Sequence, residues 1–186
     1  MCGRYIIFTS EEYREMQAIL REISKHFKVG VGTFATGEIF PSADVPAIIA
    51  ANGETEYGIL KWGMELYNSK RLLINARGET LGEKRMFKPL LQGGRCLLPA
   101  NGFFEWKDKQ KYLIKPSELQ TFYMAGLYNR DGRTAIITTS ANREMEDIHD
   151  RMPVILSKED GRLWLQKYNL SLLVPYENKL DIKKAG

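Results

Sequence analysis

Between Val45 and Leu156 the chain returns again and again to one pattern: a short run of β-branched or aromatic residues, then a cluster of turn residues. Branched and flat side chains pack well on a pleated, half-buried surface, so such runs read as strands. The pattern predicts strands over 45–50, 56–62, 95–98, 103–107, 111–115, 122–127, 134–139 and 154–156. Asn52-Gly53, the segment 107–111 and Asn129-Arg130-Asp131-Gly132 supply turn chemistry between them. Two segments read as helices. Thr9 with Glu12 has the form of a capping box, and behind it Tyr13, Met16, Leu20, Ile23 and Phe27 recur at spacings of three and four. That stripe predicts an amphipathic helix over about 10–27 whose task is packing. Ser157 with Asp160 opens a second helix over about 158–168. Gly30, Gly32 and Gly37 mark a loop, 142–148 a short helical turn, and the tail from Leu170 is weakly patterned. Many short strands, two helices and no βαβ alternation predict an α+β fold. The expectation is a single domain over 1–186, with a curved or barrel-like, mostly antiparallel sheet and two flanking helices.

Composition narrows the setting. The opening apolar run, Tyr5-Ile6-Ile7-Phe8, is too short for a signal peptide, and no stretch approaches the length of a membrane span. A cytoplasmic protein, without membrane attachment and monomeric, is expected. Cys2 and Cys96 do not make a disulfide framework. With His26 and His149 they lack the spacing of a zinc site, so neither a metal nor a cofactor is expected. The net charge is +4. Its distribution says more: Arg71, Arg77, Lys84, Arg85, Lys88 and Arg95 are interleaved with Tyr67, Met86 and Phe87. Cations that track phosphates, beside flat or apolar groups that meet bases, suit single-stranded nucleic acid. An ordinary solvated basic face accounts for the same residues.

Cys2 carries the most chemistry. Initiator methionine is normally removed when the second residue is small, and removal leaves a free α-amine on a cysteine. The amine has a reference pKa of about 7.7–8.0 and the thiol about 8.5, so both nucleophiles are accessible near neutrality. Such an aminothiol condenses with aldehydes, first as a Schiff base, then as a five-membered thiazolidine. Three polar residues in turn-rich settings are its candidate helpers. Glu105 sits among Phe103, Phe104 and Trp106, and alternation puts it on the face of Phe103. An apolar setting disfavours a charged carboxylate and raises its pKa, which suits a general acid or base. His149 is a proton shuttle by type, and Asn75 an orienting amide. Taken singly, each has a plain structural explanation.

Together they resemble a known family. Cys2-Gly3-Arg4-Tyr5, Asn75-Ala76-Arg77-Gly78-Glu79-Thr80, Arg85-Met86-Phe87-Lys88-Pro89, Gly102-Phe103-Phe104-Glu105-Trp106 and Ile148-His149-Asp150-Arg151-Met152-Pro153 resemble, in order and spacing, the signature blocks of the SOS-response-associated peptidases, the abasic-site processing proteins. The resemblance implies an enzyme whose partner is single-stranded DNA containing abasic sites. It implies that Cys2 forms a Schiff base at C1′ of the ring-opened deoxyribose, and that the thiol then closes a covalent thiazolidine crosslink. It further implies AP-lyase activity and self-processing of Met1. By the same analogy Glu105 assists ring opening and proton transfer, His149 is the acid–base group, and Asn75 holds the sugar or the Cys2 end. Arg4, Arg77 and Arg151 grip phosphates, while Arg85, Met86 and Phe87 brace the neighbouring bases. The chain departs from the family at Ile39-Phe40-Pro41-Ser42, where only the proline is kept, and after Trp62-Gly63, where Tyr67 is the candidate stacking residue. Two other classes stay open on the residues alone. One is an N-terminal-cysteine glutamine amidotransferase, the other a non-enzymatic single-stranded DNA-binding module.

Overall fold

The computed structural model describes residues 2–51 and 54–186. The expected Asn52-Gly53 turn lies outside the described residues. In chain order the strands are β1 (Arg4–Ile7), β2 (Gly37–Ile39), β3 (Asp44–Ala51), β4 (Glu54–Trp62), β5 (Met64–Glu65), β6 (Leu72–Leu73), β7 (Asn75–Arg77), β8 (Arg95–Ala100), β9 (Gly102–Lys107), β10 (Gln110–Pro116), β11 (Phe122–Tyr128), β12 (Arg133–Ser140), β13 (Arg151–Pro153), β14 (Ile155–Leu156) and β15 (Leu180–Ala185). The helices are α1 (Arg14–Phe27), α2 (Leu90–Gly93) and α3 (Lys158–Gln166).

The strands form two main sheets. One has the order β15-β10-β9-β1-β2 and is antiparallel throughout. The other runs β13-β12-β4-β3-β8-β11-β14, with β7 added alongside β12. Its strand β12 pairs with both β4 and β11, so the path β12–β4–β3–β8–β11 returns on itself. The curled sheet expected from the strand pattern is therefore present. It is mixed, because β12 runs parallel to β4 and to β7. β7 carries Asn75, and this parallel pairing sets Asn75 opposite Ile136.

The apolar faces meet in one core. Trp62 is fully buried, packs edge-on against Tyr5 at 5.2 Å between ring centroids, and donates its indole N–H to the Ile74 carbonyl at 3.0 Å. β1 threads between β2 and β9, with Tyr5 opposite Ile39 on one side and Phe103 on the other. Gly102 sits at a tight crossing: a Cβ there would approach Leu113 Cδ1 to 2.7 Å and Ile6 Cγ2 to 3.2 Å, so Leu113 would have to shift. The β9–β10 hairpin turns on Asp108 and Lys109, both with positive φ. That backbone twist matches the twist of the flanking strands.

Several expectations need correction. Helix α1 begins at Arg14, its N-cap Tyr13 makes no side-chain capping bond, and Ser10, not Thr9, donates to Glu12. The Thr9–Glu12 capping box is absent because the chain makes an extra turn before the helix starts. Its buried face is Met16, Ile19, Leu20 and Ile23, while Phe27 is exposed. The second helix is capped as expected, with Ser157 Oγ accepting from Asp160 N–H at 3.1 Å. The weakly patterned tail contains a strand: β15 pairs with β10 along its whole length.

Candidate active site

Cys2 precedes β1, and its position is set by that strand's fit between β2 and β9. Its backbone carbonyl accepts from Asn75 Nδ2 at 2.9 Å, so β7 of one sheet holds the start of β1 in the other. Asn75 is itself buried, and its Oδ1 has no hydrogen-bond partner among the described residues. A buried amide oxygen left open is costly unless a ligand or water completes it. The Cys2 thiol is fully buried and lies 3.6 Å from the Arg4 carbonyl. Burial, and then the negative charge of Glu105, push its pKa far above the ordinary thiol value. The resting thiol is therefore protonated.

Glu105 shares the buried face of β9 with Phe103, as strand alternation predicts. Burial raises its pKa, and the field of His149 works in the opposite direction. The carboxyl thus holds a proton to higher pH than an exposed glutamate does. His149 lies in the turn before β13. Its Nδ1 faces two groups: the Arg151 backbone N–H at 3.0 Å and Asp150 Oδ1 at 2.8 Å. One nitrogen cannot accept from the first while donating to the second. The Arg151 contact requires a bare Nδ1, and the Asp150 contact requires a proton on it. The Asp150 side chain is largely solvent-exposed, so the backbone contact is the better fixed of the two. The Asn75–Cys2 hydrogen bond and the electrostatic influence of Glu105 on Cys2 and of His149 on Glu105 link the four candidate residues.

The expected DNA-contacting residues divide. Tyr67 is almost wholly exposed at 94%, and Arg77, Arg85 and Met86 are exposed as well. Phe87 is 6% exposed and packs in the core, so it anchors its segment and does not present a free ring. Arg151 is committed elsewhere: Nη1 and Nη2 donate to both carboxylate oxygens of Glu79, at 2.7 and 2.9 Å, and Nη2 donates to the Thr138 carbonyl at 2.7 Å. Arg4 is paired with Glu38 at 3.0 Å and lies over the rings of Phe40 and Trp106. Lys111 closes on the same Glu38 at 2.7 Å and covers the Phe104 ring. Reading the sequence misses this cluster, because Glu38, Phe40, Trp106 and Lys111 meet only through the pairing of β2, β1, β9 and β10. Arg95 leaves the expected basic face altogether. It is buried and donates to the carbonyls of Leu91, Gln92, Trp164 and Leu165. Cys96 is buried beside Thr134, its thiol pushed up to about 12 by burial, and is chemically quiet. Among the described residues no cluster of His, Cys, Asp and Glu gathers as a metal site, and no helix is long and apolar enough to cross a membrane.

The family model for SOS response associated peptidase (SRAP) matches residues 1–184. The chain belongs to the SRAP family. Among curated relatives, the abasic site processing protein YoqW of Bacillus subtilis is 35% identical to this SRAP chain, over 95% of this chain and 88% of its own length. The abasic site processing protein YedK of Escherichia coli is 32% identical, over 90% and 80% respectively. A crystal structure of a protein from Bacteroides thetaiotaomicron superposes with a TM-score of 0.79 at 22% identity, covering 98% of this chain and 91% of that one. That likeness establishes the fold alone.

Proposed function

We propose that this protein captures abasic sites in single-stranded DNA as a covalent adduct at Cys2. The observation that carries the reading is the 2.9 Å bond from Asn75 to the Cys2 carbonyl, which fixes residue 2 beside the buried Glu105, whose pKa burial raises. The names of the curated relatives supply the substrate class.

The chemistry follows from the protonation states. A buried, protonated thiol is a poor first nucleophile. The α-amine freed by loss of Met1 therefore adds first, its lone pair forming the N–C1′ bond to the aldehyde of the ring-opened sugar. The carbinolamine loses its hydroxyl as water, which takes a proton from Glu105 or His149. The resulting imine is electrophilic at C1′. Sulfur then adds to that carbon, its proton passes to nitrogen, and a thiazolidine closes with overall loss of one water. Glu105, left as a carboxylate after the dehydration, is positioned to relay the thiol's proton. His149, with the Arg151 N–H and Asp150 both within reach of Nδ1, can accept or donate a proton in these steps. AP-lyase activity and removal of Met1 would draw on the same groups. The exposed Arg77, Arg85, Met86 and Tyr67 provide phosphate and base contacts, whereas Arg4 meets DNA only as part of its cluster with Phe40 and Trp106. The protein is read as a monomer working in the cytoplasm, nucleoid-associated when bound to DNA.

The test is incubation with single-stranded DNA containing one abasic site, followed by a denaturing gel. A heat-resistant adduct is expected, and Cys2→Ala should abolish it. An adduct of equal yield from Cys2→Ala, or from intact DNA, would sink the reading.

A further inference from the structure

Glu79 belongs to none of the groups that touch the reacting atoms, yet it makes a two-pronged ion pair with Arg151. Its carboxylate takes both Nη1 and Nη2 of Arg151, at 2.7 and 2.9 Å. Side-by-side pairing of this kind is among the strongest and most directional of charge-assisted bonds. The Arg151 side chain is only 12% exposed, so little solvent competes on its side. The same guanidinium reaches the Thr138 carbonyl at 2.7 Å and its hydroxyl at 3.3 Å. Arginine 151 is thus held at two points, one on the turn after β7 and one on β12. Its backbone N–H then donates to His149 Nδ1 at 3.0 Å.

The consequence runs along a short path. Glu79 lies four residues beyond Asn75, and the intervening β7 is registered on β12 with Arg77 opposite Thr138. Arg151 is registered on β12 as well, opposite Ser140. One carboxylate therefore couples the segment that holds Cys2 to the segment that holds His149. The geometry points to Glu79 as a positioning residue: through Arg151 it seats the 149–151 turn so that His149 Nδ1 is an acceptor and the neutral ring carries its proton on Nε2. This assignment deepens the crosslinking mechanism above and rests on it.

The test compares the native chain with Glu79→Gln, which preserves shape and one acceptor, and with Glu79→Ala. Crosslinking to abasic single-stranded DNA is followed at saturating DNA, and affinity for the matching intact strand is measured separately. Small misplacements of catalytic groups cost up to about 10²-fold in rate. Glu79→Ala should slow the saturated rate by about that factor, Glu79→Gln by less, with affinity for intact DNA changed less than about twofold. The second readout is the ¹⁵N spectrum of histidine-labelled protein, with His149 assigned by its loss in His149→Gln. The native ring should show Nδ1 as the bare nitrogen, and both variants should move toward a tautomer mixture. Unchanged rate and unchanged ¹⁵N shifts would overturn the assignment. Tighter DNA binding by Glu79→Ala would also overturn it, because Glu79 would then be a stand-in for phosphate on Arg151. If the native chain forms no adduct, the proposed function fails, and the ¹⁵N shifts still decide the role of Glu79.

Discussion

Glu105 faces two demands, one from folding and one from chemistry. Burial raises its pKa in the folded chain, so folding favours the protonated form. The stability gained from that preference is present below the unfolded value of about 4.3 and is lost as pH rises through the raised folded value. Glu105→Gln has no charge to bury. It should therefore melt higher than the native chain at pH 8, by about 2–4 °C for each kcal/mol of burial cost relieved, and the gap should close toward pH 4. The same variant should crosslink about 10²–10⁴-fold more slowly, with binding to intact single strands nearly unchanged. Thermal melts across pH and single-turnover gels check the two halves. A residue that lowers stability and raises rate is the pattern expected of a functional group, and a structural glutamate would show the reverse.

Arg95 shows how an element-level role hides in a linear reading. Set among five other basic residues, it reads as part of a nucleic-acid face, yet it ties the C-terminal ends of α2 and α3 to β8 through four carbonyls. Hydrogen bonds to a charged group contribute roughly 1.5–3 kcal/mol each, and carbonyls left bare in the interior are costly. Arg95→Met should lower unfolding free energy by at least about 3 kcal/mol in urea melts, with no change in salt dependence of DNA binding. The strands around β8 were legible because their side chains announce a pleated surface. So was α3, whose Ser157 cap is local. β15 was not, because every residue but Leu180 stays partly or fully exposed on a sheet edge and its partner β10 lies more than sixty positions away. The four candidate catalytic residues were legible by type and setting, but the bond that joins Asn75 to Cys2 spans 73 positions and exists only in the fold. The burial of Phe87 and the pairing of Arg151 with Glu79 were not legible for a related reason: an aromatic ring or a guanidinium looks the same in sequence whatever it packs against.

Across the full chain, two sheets converge at the site. β1 and β9 bring Cys2 and Glu105 from one sheet, and β7 and the turn before β13 bring Asn75 and His149 from the other. A net charge of +4 then provides a general attraction for a polyanion without specifying where it binds. Under the proposed function, the location comes from exposed cations such as Arg77. Arg77 is exposed and makes no ion pair among the described residues, whereas Arg151 is bound to Glu79. Arg77→Ala should therefore reduce the slope of log affinity against log salt by about 0.7, the share of one phosphate contact on a single strand. Titrations of intact single-stranded DNA at several salt concentrations check this. An unchanged slope would move the phosphate contact to another residue.

The claim on which the account depends is that residue 2 reacts through nitrogen and then sulfur. Mass spectrometry of the digested adduct tests it most directly. The expected species is an N-terminal peptide that begins at Cys2, lacks Met1, and carries the abasic sugar with loss of one water. Its sulfur should resist alkylation, and borohydride should leave its mass unchanged, because a thiazolidine has neither a free thiol nor an imine. An adduct on any other residue, on a peptide that retains Met1, or with an alkylatable Cys2 thiol would contradict the account.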